Sequence, residues 1–340
     1  MTGKRLAALV ATIVMIVGAI FVRSRIDSAD SAGTGSSPAG PAVGSKGVLA
    51  IICSTELASA CQDLRAVYNS KVEITVEPAG DTLDRLAVAP ANKLSGLLPD
   101  LWITLAPFPA MLDESRQSGP VVLTTTTLAQ TDPQLVLQTD RAVALQAACG
   151  TAPLWRCIGD FAGTPWAEHQ GAASWGSVRA GFADPAAEAI GLITLANAVG
   201  GYFSATDFSR GDWEADSGFS RWIGRVSSKS RLTPTSKSPL ATLITQASAL
   251  SIAATNSAEI SRTPRANDPK YTALTLSPTL LLQTQSASFT ESDADLQEQV
   301  LGSLRNTLTE TYGWDAPTDT GQSISAGTLI ALRELWKEIT

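Results

Sequence analysis

The sequence predicts an exported α/β protein of two lobes, and three observations carry that expectation. Short apolar strands alternate with helical segments from Val48 onward, the pattern of a parallel sheet with right-handed helical crossovers. The four cysteines fall into two local sets of identical spacing, Cys53-x7-Cys61 and Cys149-x7-Cys157. An apolar run, Leu6–Val22, stands near the N-terminus between Lys4-Arg5 and the pair Arg23 and Arg25.

That run is 17 residues long, longer than a signal-peptide core and shorter than the about 20 residues of a full span. Residues 1–27 therefore read as an uncleaved single-pass anchor, one N-terminal transmembrane helix. A cleaved signal peptide is the second reading, although no clean Ala-x-Ala site follows. Positive charge is similar on both sides and does not orient the segment. Residues 28–47, rich in Ser, Gly, Ala and Pro, read as a flexible linker.

The cysteines orient the chain better. Local pairing is the simplest connectivity and predicts the disulfides Cys53–Cys61 and Cys149–Cys157, which persist in an oxidising compartment. Zinc ligation favours C-x2–4-C pairs and redox catalysis C-x-x-C, and neither spacing occurs. The folded domain is thus expected outside the cytoplasmic membrane, tethered to it through the N-terminal helix. A net charge of −7 without a basic stripe argues against nucleic acid.

The folded domain should occupy residues 48–340, with lobe 1 at about 48–120 plus 272–340 and lobe 2 at about 121–271. Val48–Cys53 is a continuous apolar run, as in a buried parallel strand. Glu56–Tyr68 has helical spacing through Leu57, Cys61, Leu64 and Val67, and Lys71–Val76 alternates as a second strand. A short helix at Thr82–Val88, a third strand at Pro99–Leu105 and a helix at Pro107–Gln117 follow. Val121–Thr127 and Gln134–Leu137 are β-rich and should cross between the lobes. A short helix is expected at Trp155–Phe161, a strand at Val178–Phe182, and helices at Ile190–Phe203 and Phe219–Val226. Leu240–Ala247 leads to a strand at Ser248–Ala254, and Tyr271–Leu282 is a return segment of strand character. Asp295–Tyr312 is amphipathic through Leu296, Val300, Leu304 and Leu308, and Thr328–Ile339 is a terminal helix burying Leu329, Leu332, Leu335 and Trp336.

The segment from Trp175 to Tyr202 is the most informative. It reads as a strand, an Asp184-Pro185 turn and a helix whose first turn holds Ala186, Ala187 and Glu188. Such a start offers free backbone N–H groups and a positive dipole end to an anion or polar ligand. With Ser54-Thr55-Glu56-Leu57 after the first strand and Pro99-Asp100 before the third, it resembles the type II periplasmic solute-binding proteins. The anchor, the Cys149–Cys157 stretch and the Trp336 end resemble a membrane-anchored actinobacterial branch, distantly like molybdate-binding proteins.

That resemblance implies a two-lobed type II fold with a small polar solute in the interlobe cleft, working with an ABC permease for uptake or sensing. The alternative is the same fold reused as an envelope scaffold or interaction module. In the molybdate-binding branch, hydroxyls and amides at these turns hold the ligand. Carried over, the candidates are Ser54, Thr55, Thr104, Ala187 and Glu188, with Trp175 as an aromatic candidate for the cleft. Glu188 departs from an oxyanion site, because its charge favours an amine, a hydroxyl-rich ligand or no ligand at all. No Gly-x-Ser-x-Gly, Ser-x-x-Lys, Walker loop or His-Glu-x-x-His occurs, and His169 has no catalytic partner motif beside it. No enzyme, cofactor or metal is expected.

Overall fold

The computed structural model describes residues 47–233, 237–291, 293–318 and 324–340. The expected anchor and all but the last residue of the expected linker lie outside the described residues. Among the described residues no helix is long and apolar enough to cross a membrane.

Two five-stranded sheets form the scaffold. The first contains β1 (Leu49–Ser54), β2 (Val72–Glu77), β3 (Leu101–Leu105), β4 (Thr124–Thr131) and β10 (Leu282–Ser288), in the order β2-β1-β3-β10-β4. The second contains β5 (Pro133–Gln138), β6 (Ala180–Ala183), β7 (Arg231–Thr233), β8 (Ile252–Asn256) and β9 (Tyr271–Thr275), in the order β7-β6-β8-β5-β9. The helices that shape the site are α1 (Ala58–Tyr68), α2 (Ala79–Ala87), α3 (Ala189–Phe203), α4 (Ser257–Arg262), α5 (Ala294–Asn306) and α6 (Ala326–Ile339).

Both sheets are mixed, which corrects the expectation of parallel sheets. β1, β2 and β3 are parallel, as their apolar runs and helical crossovers require. β10, however, begins beside the carboxyl end of β3, with Thr284 opposite Leu105, and so runs antiparallel to it and to β4. In the second sheet β5 runs antiparallel to β8 and β9. The chain passes from the first sheet to the second at Asp132, after β4 has completed its ladder with β10. The expected return segment Tyr271–Leu282 divides between the sheets, with β9 in one and β10 starting the other. The helix Thr139–Cys149 is not among the expected elements. Its buried residues are Arg141, Ala142, Ala144 and Leu145, so only one large apolar side chain marks the face and little apolar periodicity is left to read.

Both local cysteine pairs form disulfides. Cys53–Cys61 ties the end of β1 to α1 within the apolar layer on one face of the first sheet, with Leu49, Leu64 and Leu304. The opposite face joins a larger core that runs unbroken through Ile52, Trp102 and Phe108 to α3, then to Leu135, Phe182 and Trp336. Trp102 is fully buried there.

Helix α3 is apolar all round and nearly every residue in it is buried, as expected of a helix packed on all sides. It contacts β6 of the second sheet and β3 of the first. Its buried Asn197 spends the whole side-chain amide on structure. Nδ2 donates to the carbonyls of Ile193 and Leu280, both at 3.0 Å, and Oδ1 accepts the Leu280 N–H at 2.7 Å. Leu280 lies in the segment that returns the chain to the first sheet, so this amide fixes that crossing onto the central helix.

Replacing Asn197 by Leu leaves the Leu280 N–H and carbonyl without their partner. The expected cost is about 2–4 kcal/mol, the range for stranding one or two buried polar groups. Urea denaturation with an unchanged m-value checks it. A variant as stable as the wild type contradicts this role of the amide.

Candidate functional site

A cavity of about 380 Å³ lies between the lobes, where strand ends from both sheets meet. Apolar strands of an open α/β sheet leave their carboxyl ends as the place where polar groups converge. From the first lobe the lining includes Thr55, Glu56, Leu105, Leu308, Tyr312 and Trp314. From the second it includes Glu188, Lys237, Asn256, Glu259 and Arg262. Leu308 lies in a one-turn π-helix at Thr307–Thr311 that extends α5, and Tyr312 follows it. Widened turns of this kind are frequent at functional sites.

The structure separates the expected site residues. Thr55 and Glu188 line the cavity. Ser54 and Thr104 are wholly buried, and the Ser54 hydroxyl donates to Thr104 Oγ1 at 2.8 Å. They are not among the cavity-lining residues; they join the ends of β1 and β3 and so position Thr55 and Glu56. The Ala187 carbonyl accepts the Gly80 N–H at 2.8 Å, facing α2 of the other lobe. Trp175 ends a short 3-10 turn, packs edge-on against Trp166 at 5.9 Å, and lies away from the cavity lining.

The helix start itself differs from expectation. α3 begins at Ala189, after an extended Glu188, and the Asp184-Pro185 segment closes a turn of its own. Asp184 Oδ1 accepts the Ala186 N–H at 2.9 Å, and its carbonyl accepts the Ala187 and Glu188 N–H groups at 3.2 and 2.8 Å. The N–H groups expected to be open at Ala187 and Glu188 are therefore already satisfied.

Glu56 is the residue that sequence reasoning missed as a candidate. Its Oε2 accepts from the Thr55 hydroxyl at 3.3 Å, while Oε1 is buried with no hydrogen-bond partner among the described residues. Burial pushes its carboxyl up to about 7, and the neighbouring Glu188 charge adds to the rise. Its own N–H, the Thr55 hydroxyl and the Ile190 N–H pull the other way without prevailing. Because Ile190 lies in the first turn of α3, a carboxylate from lobe 1 stands at the positive end of the lobe 2 helix. The available signal was an acid three residues beyond the apolar run that ends at Cys53. Across the cavity, the Arg262 guanidinium lies over the Tyr312 ring at 3.9 Å, and the Tyr312 hydroxyl donates to Asp63 at 2.9 Å.

The far side of the same turn is clasped by lobe 1. Arg333 of α6 donates from Nε to the Ala186 carbonyl at 2.7 Å and binds both oxygens of Asp84 at 2.6 and 2.9 Å. Gly80 fits beneath the turn because any Cβ there would run into the carbonyls of Ala186 and Ala187.

No protein-family model matches the chain, and no curated protein matches its sequence. Solved structures do. The periplasmic binding protein AfuA of Actinobacillus pleuropneumoniae, with fructose-6-phosphate bound, has a TM-score of 0.55 at 10% identity over 86% of this chain and 98% of its own. A substrate-binding protein of an ABC transporter from Agrobacterium tumefaciens gives 0.50 at 10% identity, over 86% and 94% of the two chains. Apo FutA2 from Synechocystis gives 0.50 at 12% identity, over 87% and 98%. The chain thus has the two-lobed α/β fold of the type II periplasmic solute-binding proteins.

Two outcomes follow from these contacts. Glu56 binds its proton more tightly folded than unfolded, so its contribution to stability is present below the unfolded value of 4.5 and lost as pH rises through about 7. Glu56→Gln is therefore expected to exceed the wild type above that pH by about 1–3 kcal/mol, and to match it in acid. Melting curves across pH measure this, and equal melting points at all pH values contradict it. Gly80→Ala should cost about 1–3 kcal/mol by overpacking the clasp, visible as a lower melting temperature; an unchanged one means the turn yields freely.

Proposed function

We propose that this chain is an extracytoplasmic solute-binding protein, tethered to the membrane by its N-terminal segment, that holds a small polar ligand in the interlobe cavity. The observation that carries the reading is that cavity. It lies at the strand ends of both sheets, is lined by polar groups of both lobes, and at about 380 Å³ falls within the range of small-molecule sites. Thr55, Glu56 and Glu188 are the contacts we assign to the ligand, with Ser54 and Thr104 holding the strand ends behind them. The fold similarity to AfuA and to the Agrobacterium ABC-transporter protein supports delivery to a permease. Two disulfides suit an oxidising space outside the cytoplasmic membrane.

A second reading, a scaffold that uses the fold without transport, is favoured by one specific observation. The lobes share an unbroken apolar core and are clasped through Arg333 and Gly80 onto the Asp184–Glu188 turn. Rigid joining of this kind serves an interaction module as well as a transporter's binding protein.

Thermal-shift screening of the full chain in mild detergent, against oxyanions, sugars, amino acids and polyamines, separates the two. A true ligand at 100 times its Kd is expected to add about 2.7 kcal/mol to stability. A class that raises the melting temperature supports solute binding, and the absence of any response from all four favours the scaffold.

A further inference from the structure

The chemistry of the cavity narrows its ligand. Glu56 and Glu188 belong to different lobes, line the same space, and lie close enough for one charge to act on the other. Glu188 is 6% exposed, and Glu56 Oε1 is shut off from solvent with no donor among the described residues. A buried carboxylate oxygen without a donor costs free energy that a bound cation or hydrogen-bond donor recovers. Like charges held together gain most from a positive group between them.

Other ligand classes fit less well. An oxyanion would face two carboxylates at a helix start whose neighbouring N–H groups are already taken by Asp184. A metal ion wants several acidic or imidazole ligands, and among the described residues no group of three or more His, Cys, Asp or Glu is placed to hold one. A neutral sugar satisfies hydroxyl and amide partners but leaves the charge repulsion in place. The remaining charged and titratable groups lining the cavity are Lys237, Glu259, Arg262 and Tyr312. Glu259 already accepts from the Thr255 hydroxyl. Neither Lys237 nor Arg262 makes an ion pair among the described residues.

We propose that the cavity takes a small molecule bearing a protonated amine, its ammonium held between Glu56 and Glu188. The proposal rests on the cavity being a binding site, as argued above. The rest of the molecule packs among Leu308, Tyr312 and Trp314, and a carboxylate on it, if present, is met by Arg262 and Lys237. A diamine and an amino acid share the ammonium chemistry, so the experiment distinguishes them. Binding of the cation also favours the doubly ionised acid pair, so protons are released on binding below about pH 7.

The test is calorimetry and thermal shift on the full chain in detergent, with putrescine, L-lysine and γ-aminobutyrate as amine probes and molybdate, phosphate and glucose as controls. At least one amine should bind, with a heat that depends on the buffer's ionisation enthalpy below about pH 7. Glu56→Gln, which the pH argument expects to fold at least as well as the wild type, should weaken it about tenfold or more, as should Glu188→Gln. Arg262→Gln should weaken the amino acids while sparing putrescine. Binding of a control compound with no response to any amine overturns the amine assignment and leaves the cavity as a binding site. Amine binding that survives both Glu→Gln changes also overturns it. Silence from every compound removes this proposal and the solute-binding reading together.

Discussion

Helix α3 has almost no solvent face, and the arrangement of both lobes depends on that constraint. An all-apolar helix of this length is stable in water only when covered on every side. Here one side packs on β6 and another reaches β3 of the first sheet. The lobes are consequently not two beads on a hinge but two sheets sharing one core, from Ile52 and Trp102 to Phe182 and Trp336. Asn197 extends the constraint to the chain crossing at Leu280, where one amide satisfies three backbone groups that the surrounding apolar residues could not. The start of α3 is thereby fixed relative to β1, and that brings Glu56 and Glu188 into one cavity.

Much of this was legible in the sequence where a single physical signal dominated. The unbroken apolar run at β1, the alternation at β2 and the amphipathic stripe of α5 each follow from burial on known faces. The cysteine spacing gave both disulfides, because short loops favour local pairing. Sheet direction was less legible, since whether a strand returns parallel depends on which sheet it joins, and no local residue records that. β4 and β10 pair across much of the chain, and the register between Thr124 and Ser288 is a tertiary fact.

The lining of the cavity was legible in part for the same reason. Thr55 and Glu188 stand at strand-to-helix junctions, and junctions can be found by pattern. Ser54 and Thr104 occupy equally promising junctions, yet they consume each other's hydroxyls, a pairing visible only once β1 and β3 lie side by side. The Asp184-Pro185 turn was read as the first turn of the helix because Asp before Pro is a common cap signal. Glu56, whose carboxyl is raised most by burial, stands in the sequence only as the first residue of the expected helix Glu56–Tyr68. Its significance comes from facing Glu188 of the other lobe.

The two sides of the Asp184–Glu188 turn show how a structural polar group differs from one awaiting a partner. On one side Arg333 is 4% exposed, yet its guanidinium meets the Ala186 carbonyl and both Asp84 oxygens. The Asp84 carboxyl lies below the usual carboxylate range, because the Arg333 and Lys337 contacts outweigh the burial that would raise it. That pairing balances its charge, and nothing further is required of it. On the other side, two acids from different lobes share one cavity, the Glu188 charge raises the Glu56 carboxyl, and Glu56 Oε1 has no donor among the described residues. The same core that closes the clasp also holds Glu56 and Glu188 in one cavity, so one packing arrangement sets both the clasp and the acid pair.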